Sequence, residues 1–282
     1  MTGFDPRRTP AREDLAAAHL EGTVAAPCYV EGLRMRVVDE AIPLRSRPSP
    51  DCSLDTQVLF GEEVVIYDVE EGWAWGQIAS DGYVGYMPAD SLDAALVEPS
   101  HRVMVPRTFL YPGRSMKAPT LGALPLGGLV AVTAIKGDFA FLADGRCIWA
   151  EHLGAPDTRL ADFVATAELY IGVPYLWGGK TFSGLDCSGL VQIALHAAGR
   201  EAPRDTDMMQ AELGQPVPEG ADLQRGDLVF WKGHVGMMQD EHRLLHANGH
   251  HMLVVSEPLD VARARIAEKS FGPVTAIRRL AL

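Results

Sequence analysis

The 282-residue chain is poor in cysteine, in positive charge and in long apolar runs. Its four cysteines, Cys28, Cys52, Cys147 and Cys187, form no CxxC pair, so neither a disulfide framework nor a cysteine-rich zinc module is expected. Lys and Arg number 25 against 37 Asp and Glu, a formal net charge of −12. A nucleic acid or an anionic lipid surface is therefore not the expected partner. No stretch approaches the roughly 20 apolar residues that cross a bilayer. The opening MTGFDPRRTPARED is polar and is followed by no apolar segment of the secretory kind, so a cytoplasmic protein with reduced thiols is the expectation. What is present is a globular composition, 47% hydrophobic and 22% charged, with room for two or three compact domains.

An internal repeat organises the first half. Val58-Leu59-Phe60-Gly61 followed by Val64 and Ile66 recurs as Leu124-Pro125-Leu126-Gly127 followed by Val130 and Val132. Gly72-Trp73-Ala74-Trp75 recurs at the same offset as Asp138-Phe139-Ala140-Phe141, and each copy runs on to an Asp-Gly turn and a closing leucine, Leu92 or Leu153. Alternating apolar residues in short runs between glycine-rich turns predict small β-barrels. Residues 31–95 and 99–155 read as two such modules behind an arm, residues 1–30, in which a short helix is expected near Leu15 to Leu20.

After Ala155-Pro156-Asp157 the periodicity changes. Leu160, Phe163, Val164, Ala167 and Ile171 share one helical stripe, which Gly172-Val173-Pro174 ends. A second helix opens at Asp186-Cys187-Ser188-Gly189, carries Leu190, Val191, Ala194, Leu195 and Ala198, and stops at Gly199. Strands follow at Leu228 to Trp231, His234 to Met238, Arg243 to Ala247, Met252 to Ser256 and Val274 to Leu280. Helices ahead of an antiparallel sheet make residues 157–282 an α+β domain.

A free cysteine ordinarily packs as a small hydrophobe, and Cys28, Cys52 and Cys147 fit that reading. Cys187 differs, because a thiol in the first turn of a helix meets unpaired N–H groups that favour the thiolate. Asp186 would oppose this and is better placed to cap amides or to hold a substrate amine. Of nine histidines, His19, His101, His152 and His196 suggest packing or solvent. His234 and His246 fall on neighbouring strands and oppose each other only across an odd-length loop centred on Asp240; a two-residue turn at Asp240-Glu241 would send them to opposite faces. On one face, one imidazole can orient the other, giving nucleophile, base and orienting group in chain order. His242, His246 and His250, spaced by four, offer a rival zinc reading that Asn248-Gly249 argues against by breaking any helix.

Six short motifs then agree in order and spacing with one family. Tyr175-Leu176-Trp177-Gly178-Gly179, Asp186-Cys187-Ser188-Gly189-Leu190, Pro203-Arg204-Asp205-Thr206 with Gln210, Arg225-Gly226-Asp227-Leu228-Val229-Phe230, Gly233-His234-Val235-Gly236 and His246-Ala247 resemble the NlpC-type cell-wall cysteine peptidases. The resemblance implies a papain-like α+β fold, with Cys187 as nucleophile, His234 as base, His246 as orienting residue and Tyr175 beside the oxyanion. Asp186, Ser188 and Thr206 match substrate-contacting positions, with helix capping as the plain alternative for Asp186 and Thr206; Trp177 fits a substrate contact or a core aromatic. The upstream modules resemble bacterial SH3 domains, as in murein-peptide endopeptidases that cut between D-glutamate and a diamino acid. There the resemblance implies that Tyr83 and an acidic residue (Asp55, with Asp51 and Glu62 as alternatives) capture the free amine of an N-terminal L-alanine. It implies no metal or cofactor, a murein peptide as partner, and recycling of released wall peptides. A non-catalytic peptide-binding protein and a thiol acyltransferase or hydrolase on the same fold stay open.

Overall fold

The computed structural model describes residues 4–94 and 97–280, so the expected module boundary at residue 95 and the last two residues of the α+β domain lie outside the described residues. The chain divides into two compact units, residues 1–156 and 157–282.

In the first unit, strands Leu33–Val37, Glu63–Glu70, Trp73–Ile78, Val84–Pro88 and Leu92–Asp93 form an antiparallel five-stranded sheet beside the Ala41–Leu44 and Thr56–Leu59 hairpin. Alternation points Val37, Leu44, Val58, Val64, Ile66, Ala74, Ile78 and Met87 into one core. The second half repeats this order from His101–Val103 to Leu153–Gly154, down to a matching 3₁₀ turn, Ala89–Ser91 in one copy and Ala150–His152 in the other. Its own core holds Val103, Leu110, Leu124, Val130, Ala140, Leu142 and Ile148. The expected helix near Leu15 shrinks to a 3₁₀ turn, Ala18–Leu20, behind a short strand, Ala16–Ala17, that pairs with Tyr29–Val30. Leu15 and Ala17 pack on Tyr67, Trp75 and Val84, so apolar burial on the barrel fixes the arm where helix propensity does not.

The second unit places four helices, α1 (Phe163–Glu168), α2 (Cys187–Ala197), α3 (Thr206–Glu212) and α4 (Leu259–Lys269), with a six-stranded antiparallel sheet. Its strands are β1 (Gln215–Pro216), β2 (Leu228–Trp231), β3 (His234–Met238), β4 (Arg243–Asn248), β5 (Leu253–Pro258) and β6 (Ala276–Arg279), in the order β1-β6-β2-β3-β4-β5. Helix α1 is shorter than its apolar stripe: the Asp162 carboxylate caps it by accepting from the Ala165 N–H, Leu160 precedes it, and Ile171 lies exposed in the turn beyond. Helix α2 is buried along nearly its whole length, which explains its all-round apolar sequence. Helices α3 and α4 have no counterpart in the sequence reading. The buried residues of α4, Leu259, Ala262 and Ile266, do follow helical spacing.

Candidate active site

Cys187 is the first residue of α2, and the loop before it is built around Asp186. That carboxylate accepts from the Gly189 N–H at 2.6 Å and the Gly178 N–H at 2.8 Å, from the Ser188 hydroxyl at 3.3 Å, and from Arg204 Nη2 at 2.6 Å. Arg204, 1% exposed, donates also to Ser188 Oγ at 2.7 Å. Asp186 is thus a helix cap tied to a buried cation, and its acceptor sites are occupied by the protein rather than held out to a substrate amine. Gly189 is required by the same packing: a Cβ there would stand 2.2 Å from the Gly179 carbonyl oxygen.

Burial sets the thiol's state. Desolvation first, then the Asp186 charge, push Cys187 up to about 11, against the opposing pull of the Val235 N–H, the Thr206 hydroxyl and Arg204. The helix N-terminus therefore does not by itself deliver a thiolate, as the sequence had suggested. Thr206 Oγ1 lies 3.9 Å from Cys187 Sγ. Thr206 is not the cap of α3: Asp205 holds that position, and the Thr206 side chain turns to the sulfur.

Strands β3 and β4 supply the imidazoles. Met237 pairs with Leu245 and Met238 with Leu244, so the intervening loop is odd in length but centred on Glu241, one residue past Asp240. His234 and His246 consequently share a face as diagonal neighbours instead of standing directly opposite. Their rings reach across this diagonal, His234 Nε2 lying 2.8 Å from His246 Nδ1. Gly236, at the position opposite His246, leaves the room: a Cβ there would come 3.1 Å from His246 Cβ and 2.8 Å from Leu244 Cδ1.

Both rings are buried, at 3% and 0% exposure, and His234 stacks on Phe271 with ring centroids 5.4 Å apart. Burial pulls His234 down to about 3 and His246 in the same direction, so the resting pair is neutral. Behind His246, its Nε2 is 2.7 Å from Glu257 Oε1 and 3.1 Å from Asn248 Nδ2. Arg265 of α4 grips both Glu257 oxygens at 2.6 Å.

Cys187 and His234 open on one cavity of about 330 Å³, also lined by Tyr175, Trp177, Asn248 and Phe271. Tyr175 is anchored by its backbone N–H to Met252 O, and its hydroxyl, pushed up by burial and by the Cys187 and Asp186 charges, stays a donor. Trp177, 64% exposed, is a wall of that cavity and not a core aromatic.

Of the sequence-derived set, the second unit brings together Cys187, His234, His246, Tyr175, Trp177 and Thr206, while Asp186 and Ser188 lie just beneath, bonded to Arg204. His242 lies in the turn before β4 and His250 in the turn after it, so no helical stack of three ligands forms. In the first unit Tyr83 packs into the barrel core at 6% exposure, and Asp55 is half-buried ahead of the Thr56–Leu59 strand. Glu257, Arg265 and Phe271 were not singled out from the sequence, and Arg204 stood in the Pro203-Arg204-Asp205-Thr206 motif without a role of its own. Running the expected Met252 to Ser256 strand one residue further would have placed Glu257 on the face of His246, since His246 pairs with Val255.

Comparison with known proteins bears on this geometry. Residues 44–92 match the bacterial dipeptidyl-peptidase Sh3 domain and residues 172–265 match the NlpC/P60 family. The second barrel lies outside the Sh3 match. A γ-D-glutamyl-L-lysine dipeptidyl-peptidase of Bacillus subtilis strain 168 is 30% identical over 222 residues, 70% of this chain and 73% of that one. Its namesake from Bacillus cereus ATCC 10987 is 30% identical over 226 residues, 69% and 67% of the two chains. A crystal structure of an NlpC/P60 family protein from Bacillus cereus ATCC 10987 superposes with a TM-score of 0.72 at 21% identity, over 87% of this chain and 99% of that one, a likeness of fold.

Proposed function

Since the chain belongs to the NlpC/P60 family of peptidases, we propose that it is a cysteine peptidase that hydrolyses the γ-D-glutamyl amide to a diamino acid, meso-diaminopimelate or lysine, in murein peptides with a free N-terminal L-alanine. The observation that carries this reading is the pairing of thiol and imidazole in one cavity, with the second imidazole hydrogen-bonded behind the first. The names of the two Bacillus relatives support the position of the cut.

In this reading Cys187 Sγ attacks the γ-carbonyl and gives its proton to His234. The imidazolium protonates the departing amine, and water, activated by the same ring, releases the acid from the thioester. The Tyr175 hydroxyl and the Cys187 N–H are the donors suited to the developing oxyanion. Thr206 lies beside the attacking atom, and Trp177 is a wall of the cavity on which it opens, whose size suits a short peptide.

The proposed setting is cytoplasmic recycling of released wall peptides, a role in which a net charge of −12 disfavours retention on anionic wall polymers. Mass spectrometry of L-Ala-γ-D-Glu-diaminopimelate incubated with the protein, beside the N-acetylated peptide, tests the reaction. Release of L-Ala-D-Glu from the free peptide alone is the expected result. Equal cleavage of both would remove the amine requirement, and cleavage of neither would remove the substrate.

A further inference from the structure

We propose that Glu257, clamped by Arg265, is a positioning residue that fixes which nitrogens of His246 and His234 carry protons, and so makes His234 able to accept one from Cys187; the inference rests on the active-site reading above. Two groups compete for His246 Nε2. Glu257 Oε1, at 2.7 Å, only accepts, whereas the Asn248 amide, at 3.1 Å, approaches through Nδ2, because its Oδ1 accepts from the His251 N–H at 2.9 Å. A bare Nε2 would set its lone pair against a carboxylate oxygen at 2.7 Å with no hydrogen between them. Nε2 therefore carries the proton and Glu257 accepts it.

The rest follows along the line. With Nε2 protonated, His246 Nδ1 is bare and accepts from His234 Nε2–H at 2.8 Å. His234 Nδ1 is then also bare, and it is the nitrogen left for the thiol proton. Without Glu257 the Asn248 amide donates to His246 Nε2, and each ring takes the opposite tautomer. His234 then holds a hydrogen on Nδ1 and has no lone pair to offer the sulfur. Arg265 keeps Glu257 ionised, well below the usual carboxylate range. During attack the thiol proton passes to His234 Nδ1, and His246 and Glu257 keep the protonation they began with, so thiol and imidazole become thiolate and imidazolium with no net charge added.

Glu257→Leu, of similar size but with no acceptor, is the test. Its kcat is expected to fall by between about 10-fold and 10⁴-fold, the upper figure being the loss when a directly bonded carboxylate no longer sets the base's tautomer, with little change in KM. The charged and titratable groups around the two rings and the cavity they face are Glu257 of β5, Arg265 and Lys269 of α4, His250 and His251 of the turn between β4 and β5, Tyr175, and Cys187 of α2. Removing the carboxylate and leaving Arg265 lowers both imidazoles further, so the acid limb of kcat/KM moves to lower pH. Adding Asn248→Asp returns an acceptor to Nε2 and is expected to recover part of the lost kcat. In the unaltered protein, ¹⁵N NMR is expected to show both rings as Nε2–H tautomers, a reading that does not depend on any variant folding. A folded Glu257→Leu protein with the original kcat and acid limb would overturn the proposal, as would a His246 ring protonated on Nδ1 in the unaltered protein. An active Cys187→Ala protein would instead sink the active-site reading itself, while an inactive one beside a fully active Glu257→Leu would sink only the role of Glu257.

Discussion

A thiol at a helix N-terminus is usually discussed as an activated one, but at position 187 the terminus is only one of several influences. Desolvation and the Asp186 carboxylate outweigh the Val235 N–H and the Thr206 hydroxyl, and the thiol sits near 11 beside an imidazole near 3. The neutral pair is the resting state, and the proton moves as sulfur attacks instead of beforehand. The ultraviolet thiolate absorbance that distinguishes the protein from its Cys187→Ala variant is therefore expected to be absent near neutral pH and to rise only as the pH climbs towards about 11. A thiolate plateau through the neutral range would contradict the neutral pair. Cys187 stood out in the sequence because its neighbours are contiguous. Arg204 stood in one of the motifs too, but its role was not legible, since only the folded chain reveals an arginine at 1% exposure holding Asp186 and Ser188 from 18 and 16 residues away.

The elements carry the site through registration. Strands β2 and β3 begin and end where their apolar runs do, but alternation left a shared face for His234 and His246 conditional on an odd-length loop, which the fold supplies. Alternation did not fix the centre of the loop, because an Asp240 turn closes on the amides that follow it: Oδ1 accepts from the N–H groups of His242 and Arg243, and the partner position of His246 moves two residues along, from 234 to 236. That shift makes Gly236, and no other residue of β3, the one directly across from His246. A methyl at 236 would press on Leu244, whose side chain can turn, and on His246 Cβ, which has little freedom. Gly236→Ala is expected to cost about 1–3 kcal/mol in denaturant unfolding and to lower kcat more than KM, because the ring pair is pushed out of line. An unaltered kcat in the folded variant would mean that the diagonal pair tolerates displacement. Glu257 escaped the sequence reading because the expected strand stopped at Ser256; carried past it, alternation sets Glu257 one diagonal step from His246.

In the whole molecule the same buried groups tie activity to stability. The repeat in the first half was legible because two copies of one strand order confirm each other, and the α+β texture of the second half was legible from its change of period. The ionisation pattern was not, because it depends on burial that only packing creates. His234, His246 and Glu257 are each held below their ordinary values in the fold. A group depressed in this way binds its proton more readily in the unfolded chain. Its contribution is whole above the unfolded value, 6.5 for the histidines, and drains away as the pH falls towards the folded one, about 3 for His234. Denaturant unfolding of the 157–282 unit within the full chain is thus expected to weaken steadily below pH 6.5. Replacing both rings, His234→Leu with His246→Leu, removes the two groups that must charge on unfolding. The double variant is expected to lose activity and yet to show a flatter fall in stability between pH 6.5 and about 4, where Glu257 takes over. If the slopes of the two proteins coincide across that interval, the imidazoles titrate alike in the folded and unfolded chains, and the neutral buried pair is not the resting state of this site.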